Sequence, residues 1–432
     1  MDLTASIVMA VEIVISLVVV LQTLPLLIWM ERKASSYIQN RRGPAYAHIG
    51  PVRAFGMVHT LTDVLKLWGK EDVVPRAANR FFHALAPCVS MFLALLTFAV
   101  IPFADYIEIG GTRYNLQVAE LNVGILYLLA VSSLGVYGII LAAWSSNNKY
   151  SMLGGLRSSA QMISYELALG FALISVLLWY GSVRLGDIVH GQGILLFGAI
   201  PHWGVIVQPV AFIIFITSAF AETNRNPFDL PEGESEIVAG FHTEYSSFKF
   251  AMFFMAEYAH IFVASALTAT LFFGGYQIPY VSTGMLVSHA SGILTAILKL
   301  TAVGATGFGL FLAYMAARHR DREDRVNRET LFYATVAGLA PGLTAGAVLA
   351  LTGGDIQLGH SASTIVAAAL QFGCFMAKTL VFCFLFIWVR WTLPRFRYDQ
   401  LMKLGWKYMI EIAIVWILIT AAAAWYLDRP GM

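Results

Sequence analysis

Long apolar runs separated by short polar loops dominate the chain. Stretches of about 20 predominantly apolar residues, the length that crosses about 30 Å of hydrocarbon as a helix, fall at roughly 6–30, 81–104, 122–144, 163–181, 204–222, 247–274, 290–317, 331–352, 364–391 and 406–427. This pattern predicts an all-α, polytopic transmembrane bundle with about ten spans. The run from Ile7 to Met30 is too long for a signal-peptide core and lacks a preceding basic segment, so it reads as a retained first helix. One stretch behaves differently. From Met57 to Lys70 apolar and polar residues alternate at helical spacing over a length too short to cross. It predicts an amphipathic helix at the membrane surface, the alternative being a surface helix that only anchors its loop.

Loop charge orients the runs. Arg32, Lys33, Arg41, Arg42, Arg53, Lys66, Lys70, Arg76 and Arg80 follow the first run, and Lys149 and Arg157 the third. Arg225 follows the fifth, Arg318 to Arg328 the seventh, and Arg395, Arg397 and Lys403 the ninth. The intervening loops carry almost no Lys or Arg. Basic loops stay cytoplasmic, so both termini are expected on the periplasmic side of a bacterial inner membrane. Composition agrees: 58% of the 432 residues are apolar and 12% charged, where soluble domains carry about a quarter charged. The basic residues sit in loops rather than in one patch, which argues against nucleic acid as a partner. Cys88, Cys374 and Cys383 lie in apolar runs without iron–sulfur, zinc or disulfide spacing. The ten histidines form no metal-binding pair, and no Gly-rich nucleotide loop occurs. No metal and no bound cofactor is expected.

Acids at the membrane carry the candidate chemistry. From Ala221 to Glu236 stand Glu222, Asp229, Glu232, Glu234 and Glu236, with Arg225 among them. Crowded, poorly hydrated carboxylates repel and share protons, which suggests proton handling or cation coupling; a solvated acidic loop would have the same composition. Glu166 and Glu257 fall inside apolar runs, where a charged acid costs roughly 2.5–3.5 kcal/mol or more at mid-bilayer. With Glu222 they make a line of exchangeable sites, unless they merely hydrogen-bond neighbouring helices. Lys378 is the expected counter-charge within the membrane, and Lys299 a snorkelling lysine. The basic cluster from Arg318 to Arg328 reads as a topology determinant. Glu31-Arg32-Lys33 and the segment from Arg390 to Gln400 interleave charge with aromatics at helix ends, where a partner docks or the headgroup of an amphipathic ligand rests.

These segments, together with Gln39, Arg42-Gly43-Pro44, Asp63 with Lys66, Asn148-Lys149-Tyr150, Gly155 with Arg157, Ser164-Tyr165-Glu166, Glu244-Tyr245, Ala256-Glu257-Tyr258 and Pro394 to Met402, occur in one order. In that order the chain resembles the quinone-chamber membrane subunit of respiratory complex I, the NADH-quinone oxidoreductase family that includes mitochondrial NADH dehydrogenase subunit 1, over nearly its whole length except about residues 280–370. The resemblance implies a subunit that is catalytic only within its complex. It would form most of the tunnel leading a quinone, ubiquinone or menaquinone, to an iron–sulfur cluster in a peripheral neighbour, and its carboxylates would begin a proton path. The partners implied are the peripheral quinone-site and iron–sulfur subunits, adjacent membrane subunits and lipid. By motif, Arg32, His59, Asp63, Phe228, Arg390 and Arg395 would border the quinone. Glu166, Glu222, Asp229, Glu232, Glu234, Glu236 and Glu257 would carry protons, with Arg225 as internal counter-charge. The family's eight core spans leave residues 280–362 as an inserted two-helix hairpin, between a core of 1–279 and C-terminal helices of 363–432. The hairpin is expected to lie outside the core and line no tunnel. His59 stands where the family usually has Gln, and an imidazole ordinarily titrates near pH 6.5, so quinone-site polarity is expected to differ. The same motifs allow the equivalent subunit of a membrane-bound hydrogenase or of a complex fed by another donor. A stand-alone cation-coupled transporter would show an inverted repeat, and none is visible.

Overall fold

The computed structural model describes residues 3–49, 54–196, 198–229, 238–318, 325–353 and 356–427. In chain order the α-helices are α1 Leu3–Ile38, α2 Val58–Gly69, α3 Arg80–Thr97, α4 Gly124–Ser145, α5 Lys149–Tyr180, α6 Leu185–Gln192, α7 Gly204–Val207 and α8 Pro209–Glu222. Then come α9 Ser247–Phe272, α10 Thr283–Ser288, α11 Ala290–Arg318, α12 Arg325–Leu351, α13 His360–Thr392, α14 Tyr398–Lys403 and α15 Ile410–Leu427. Among the described residues, sheet is confined to two short antiparallel hairpins, Tyr106–Ile109 with Thr112–Asn115 and Leu195–Leu196 with Ile200–Pro201. Among the described residues eight helices are long and apolar enough to cross a membrane, and two shorter apolar segments, Pro209–Glu222 and Thr335–Leu351, account for the other two runs. The protein is an all-α polytopic bundle.

Three helices overshoot the bilayer. α1, α5 and α13 have 36, 32 and 33 residues, so at 1.5 Å per residue each is about 50 Å long, against about 30 Å of hydrocarbon. Hydropathy marks only the apolar part, which is why it placed the fourth span at 163–181. The helix begins instead at Lys149, where the Asn148 side chain accepts from the N–H of Tyr150 at 2.9 Å as an N-cap. Glu166 is therefore at mid-helix, not near a helix start. The run 204–222 also changes form. Gln208, whose conformation is restricted by Pro209, separates α7 from α8, and its side chain accepts from Trp416 Nε1 at 2.6 Å. With 14 residues, α8 spans only about 21 Å. The irregular backbone after it must then be buried in protein, and Thr223, Asn224, Arg225 and Phe228 are at most 5% exposed.

α9 is the axis of the bundle. It is buried on every side from Ile261 to Phe272, as an all-apolar helix in the centre of a bundle must be. It packs against α1, α3 and α13, and the main core gathers around it. Where α5 passes the turn at Gly240–His242, a Cβ on Gly154 would stand 2.7 Å from the Gly240 Cα, so only glycine lets the two backbones meet. Lys378 on α13 closes the far end of α9. Its ammonium donates to the carbonyls of Phe273, Gly275 and Gln277 at 2.8, 2.9 and 2.7 Å. The expected carboxylate counter-ion is thus a clasp on backbone carbonyls.

α11 and α12 pack tightly on each other through small residues: a Cβ on Gly338 would lie 2.9 Å from the Gly309 Cα, and one on Gly342 2.6 Å from the Thr306 nitrogen. None of the described residues of the pair belongs to either buried core cluster. Its outer face is apolar and open, with Leu300 and Val303 74% and 76% exposed. α12 also meets the turn at Ala54–Gly56 that precedes α2.

Candidate functional site

The α1 overhang brings Arg32 to Asp63 of α2 at 2.5 Å. α2 is amphipathic, with Leu61, Leu65 and Trp68 exposed along one stripe, and it is fastened to the start of α9. Ser247 Oγ donates to the carbonyls of Leu67 and Lys70 at 3.0 and 2.8 Å, and Lys249 pairs with Asp72 at 2.7 Å. Between α1, α2 and α9 this leaves a cavity of about 510 Å³ with apolar walls, including Ile28, Phe254 and Met255, and a rim bearing Arg32, Asp63 and Lys66. That size and mixture suit an amphipathic ligand.

His59 does not line this cavity. Its Nε2 accepts from the N–H groups of Tyr46 and Ala47 at 3.1 and 3.0 Å, which requires an unprotonated Nε2 and pins the preceding loop to α2. The carbonyl of a Gln side chain accepts the same kind of bond.

Behind the cavity a chain of alternating charge leads inward. Arg390, in the last turn of α13, pairs with Glu31 in the α1 overhang. Glu31 accepts from the Tyr258 hydroxyl at 2.6 Å. The Arg225 guanidinium lies 4.5 Å from the centre of the Tyr258 ring and 3.0 Å from Glu257 Oε2. Two cations and two anions alternate, so each buried charge has a partner of opposite sign. A charge in such a place persists only when paired.

The segment after α8 is held from two sides. Gln161 of α5, fully buried, donates to the carbonyls of Ala221 and Phe228, both at 2.8 Å. Asn226 donates to the carbonyls of Arg390 and Leu393, both at 3.0 Å, while Phe396 N–H donates to the Pro227 carbonyl at 3.1 Å. Phe228 is 4% exposed between Tyr165 and Phe396. It fills the core and lines none of the described cavities. Asp229 pairs with Arg395 at 2.7 Å, which joins one residue expected on the proton path to another expected at the quinone. Glu232, Glu234 and Glu236 lie outside the described residues. Beyond them Glu244 accepts from Asn148 at 2.5 Å. Tyr245 stacks on His83 at 4.0 Å, and burial pushes its phenol up to about 12 although its hydrogen bond to Ser145 opposes the shift.

Glu222 ends α8 beside two small cavities of about 30 and 20 Å³. The larger extends between Ser132, Leu169 and Leu267; the smaller reaches Glu257. Glu166 is near enough to Glu222 for their charges to interact. Sequence patterns pointed to Glu31 and Tyr258 only as parts of motifs, and missed Gln161, His260 and the buried Glu12 of α1 as candidates. Glu12 was legible as an acid in an apolar run. Gln161 was not, since a lone amide in a helix carries no pattern.

An apolar-walled cavity with a charged rim, joined through buried ion pairs to acids within apolar helices, belongs to a polytopic membrane bundle. A model of the family described as NADH dehydrogenase matches residues 11–421. The chain is 42% identical to NADH-quinone oxidoreductase subunit 8 of Rhodothermus marinus over 403 residues, 93% of this chain and 92% of the relative. It is 42% identical to an NADH-quinone oxidoreductase subunit of Solibacter usitatus (strain Ellin6076), covering 94% of each, and 41% identical to one of Salinibacter ruber, covering 94% and 93%. The chain belongs to the NADH dehydrogenase family.

Proposed function

We propose that this chain is the membrane subunit of a proton-pumping NADH-quinone oxidoreductase that admits the quinone and starts the carboxylate path for protons. A quinone, ubiquinone or menaquinone, enters between α1, α2 and α9. Its isoprenoid tail lies on the apolar walls, and its headgroup passes the Arg32–Asp63 pair toward the peripheral subunits that deliver electrons. Negative charge gained on reduction acts on the row Arg390, Glu31, Arg225 and Glu257. A change there is felt at Glu222 and Glu166, since buried charges interact strongly in a medium of low effective dielectric. Protons taken up near the quinone thus move along the acids. The basic loops face the cytoplasm and both termini the periplasm of a bacterial inner membrane.

The observation that supports this reading most is the unbroken sequence of contacts from Arg390 to Glu257, which leads from the overhanging helix ends toward Glu222. Glu222→Gln in the assembled complex tests it. Quinone-linked turnover is expected to collapse while NADH oxidation by an artificial acceptor persists; unchanged quinone turnover and pumping would overturn the reading.

A further inference from the structure

His260 has no part in the charged chain, yet it stands at its inner end. It is three residues beyond Glu257 on α9, so the two side chains share one helix face. Among the described residues only Glu222, Thr223 and His260 border both small cavities, and Glu257 borders the smaller alone. Each cavity, at about 30 and 20 Å³, exceeds the roughly 10–15 Å³ that one water requires. Of the three shared residues, a threonine hydroxyl does not ionise at physiological pH. A proton crossing from one cavity to the other therefore uses Glu222 or His260. Among the described residues no protein group hydrogen-bonds the His260 ring, so its nitrogens are left to the cavities. Across from it α4 offers Gly135, where even a Cβ would stand 3.9 Å from His260 Cε1, and this small residue leaves the ring its space.

We propose that His260 is a proton carrier between the smaller cavity, where Glu257 stands, and the larger one. The inference rests on the proton-path reading above. A proton that has first been taken up by the Glu257 carboxylate passes through water of the smaller cavity to the free imidazole nitrogen, leaving Glu257 ionised again beside Arg225. The imidazolium gives up the N–H on its other nitrogen to water of the larger cavity. One proton enters and one leaves, no electron moves, and exchange of the ring tautomer resets the carrier. The charged and titratable groups around the ring are Glu222 from α8, Glu257 from its own helix, Arg225 paired with Glu257, and Glu166 of α5 beyond Glu222.

The test uses the complete complex in proteoliposomes, with His260→Asn and His260→Gln beside Glu222→Gln. Both replacements fill the space and hydrogen-bond water but bind no proton. Quinone-linked turnover is expected to fall at least about tenfold in both, with a larger D2O effect on the remaining rate than in the parent, and with artificial-acceptor oxidation showing that the complex is assembled. Turnover within about twofold of the parent and an unchanged D2O effect overturn the role of His260, while loss in Glu222→Gln alone leaves the path itself standing. Full turnover in Glu222→Gln overturns the path. Should neither histidine variant assemble, Gly135→Ala narrows the smaller cavity at ordinary contact distance. A larger D2O effect there supports the carrier, and a parent-like value refutes it.

Discussion

Removing Arg225 exposes what the ion pair does for the fold. Its guanidinium is 3% exposed and 3.0 Å from Glu257, whose side chain is 12% exposed. At that distance and an effective dielectric near 20, the Coulomb attraction is about 5 kcal/mol. Much of this offsets desolvation, so the pair adds little net stability. Breaking it is a different matter: an orphaned buried charge costs about 3–5 kcal/mol, and Arg225 also gives up its place over the Tyr258 ring. Arg225→Met should lower the assembled fraction of the complex about a hundredfold or more relative to unassembled subunit, since every 1.4 kcal/mol is a factor of ten. Arg225→Met with Glu257→Gln should recover at least half of that loss, because no buried charge is left alone. Native-gel quantification of assembled complex and the thermal-disassembly midpoint read both effects in one mutant cycle. Additive losses in the double variant would refute the reasoning.

Two other contacts make simpler predictions. Lys378→Met should cost on the order of 3 kcal/mol by leaving the carbonyls of Phe273, Gly275 and Gln277 without their donor; an unchanged thermal midpoint of the complex would contradict the clasp. His59→Phe should raise amide hydrogen exchange at Tyr46 and Ala47 at least about tenfold, and His59→Gln should keep most of the protection. Equal exchange in all three proteins would show that the ring does not hold the loop.

Among the described residues the hydrophobic pattern located the eight helices long and apolar enough to cross and the two shorter apolar ones, because crossing hydrocarbon demands a length and polarity that no other element satisfies. It also singled out α2, whose period survives in the exposed stripe of Leu61, Leu65 and Trp68. Helix boundaries were less legible. The polar ends of α1 and α5 remain helical, so hydropathy ended α1 at 30 rather than 38 and began the helix that carries Glu166 at 163 rather than 149. Candidate acids were legible as charges where charge is expensive, but their partners were not. Asp229 and Arg395 are 166 residues apart, and Arg390 and Glu31 are 359 apart.

By itself the sequence determined that this chain is a helical membrane protein and which ionisable groups must be buried at a cost. These follow from local composition, because solvation acts on each segment separately. Only the tertiary structure decided that Lys378 clasps carbonyls, that Phe228 fills core, that His59 holds a loop, and that His260 joins Glu222 at two cavities. Those outcomes depend on which distant side chains come within 3 to 4 Å, and that is set by packing of whole helices around α9.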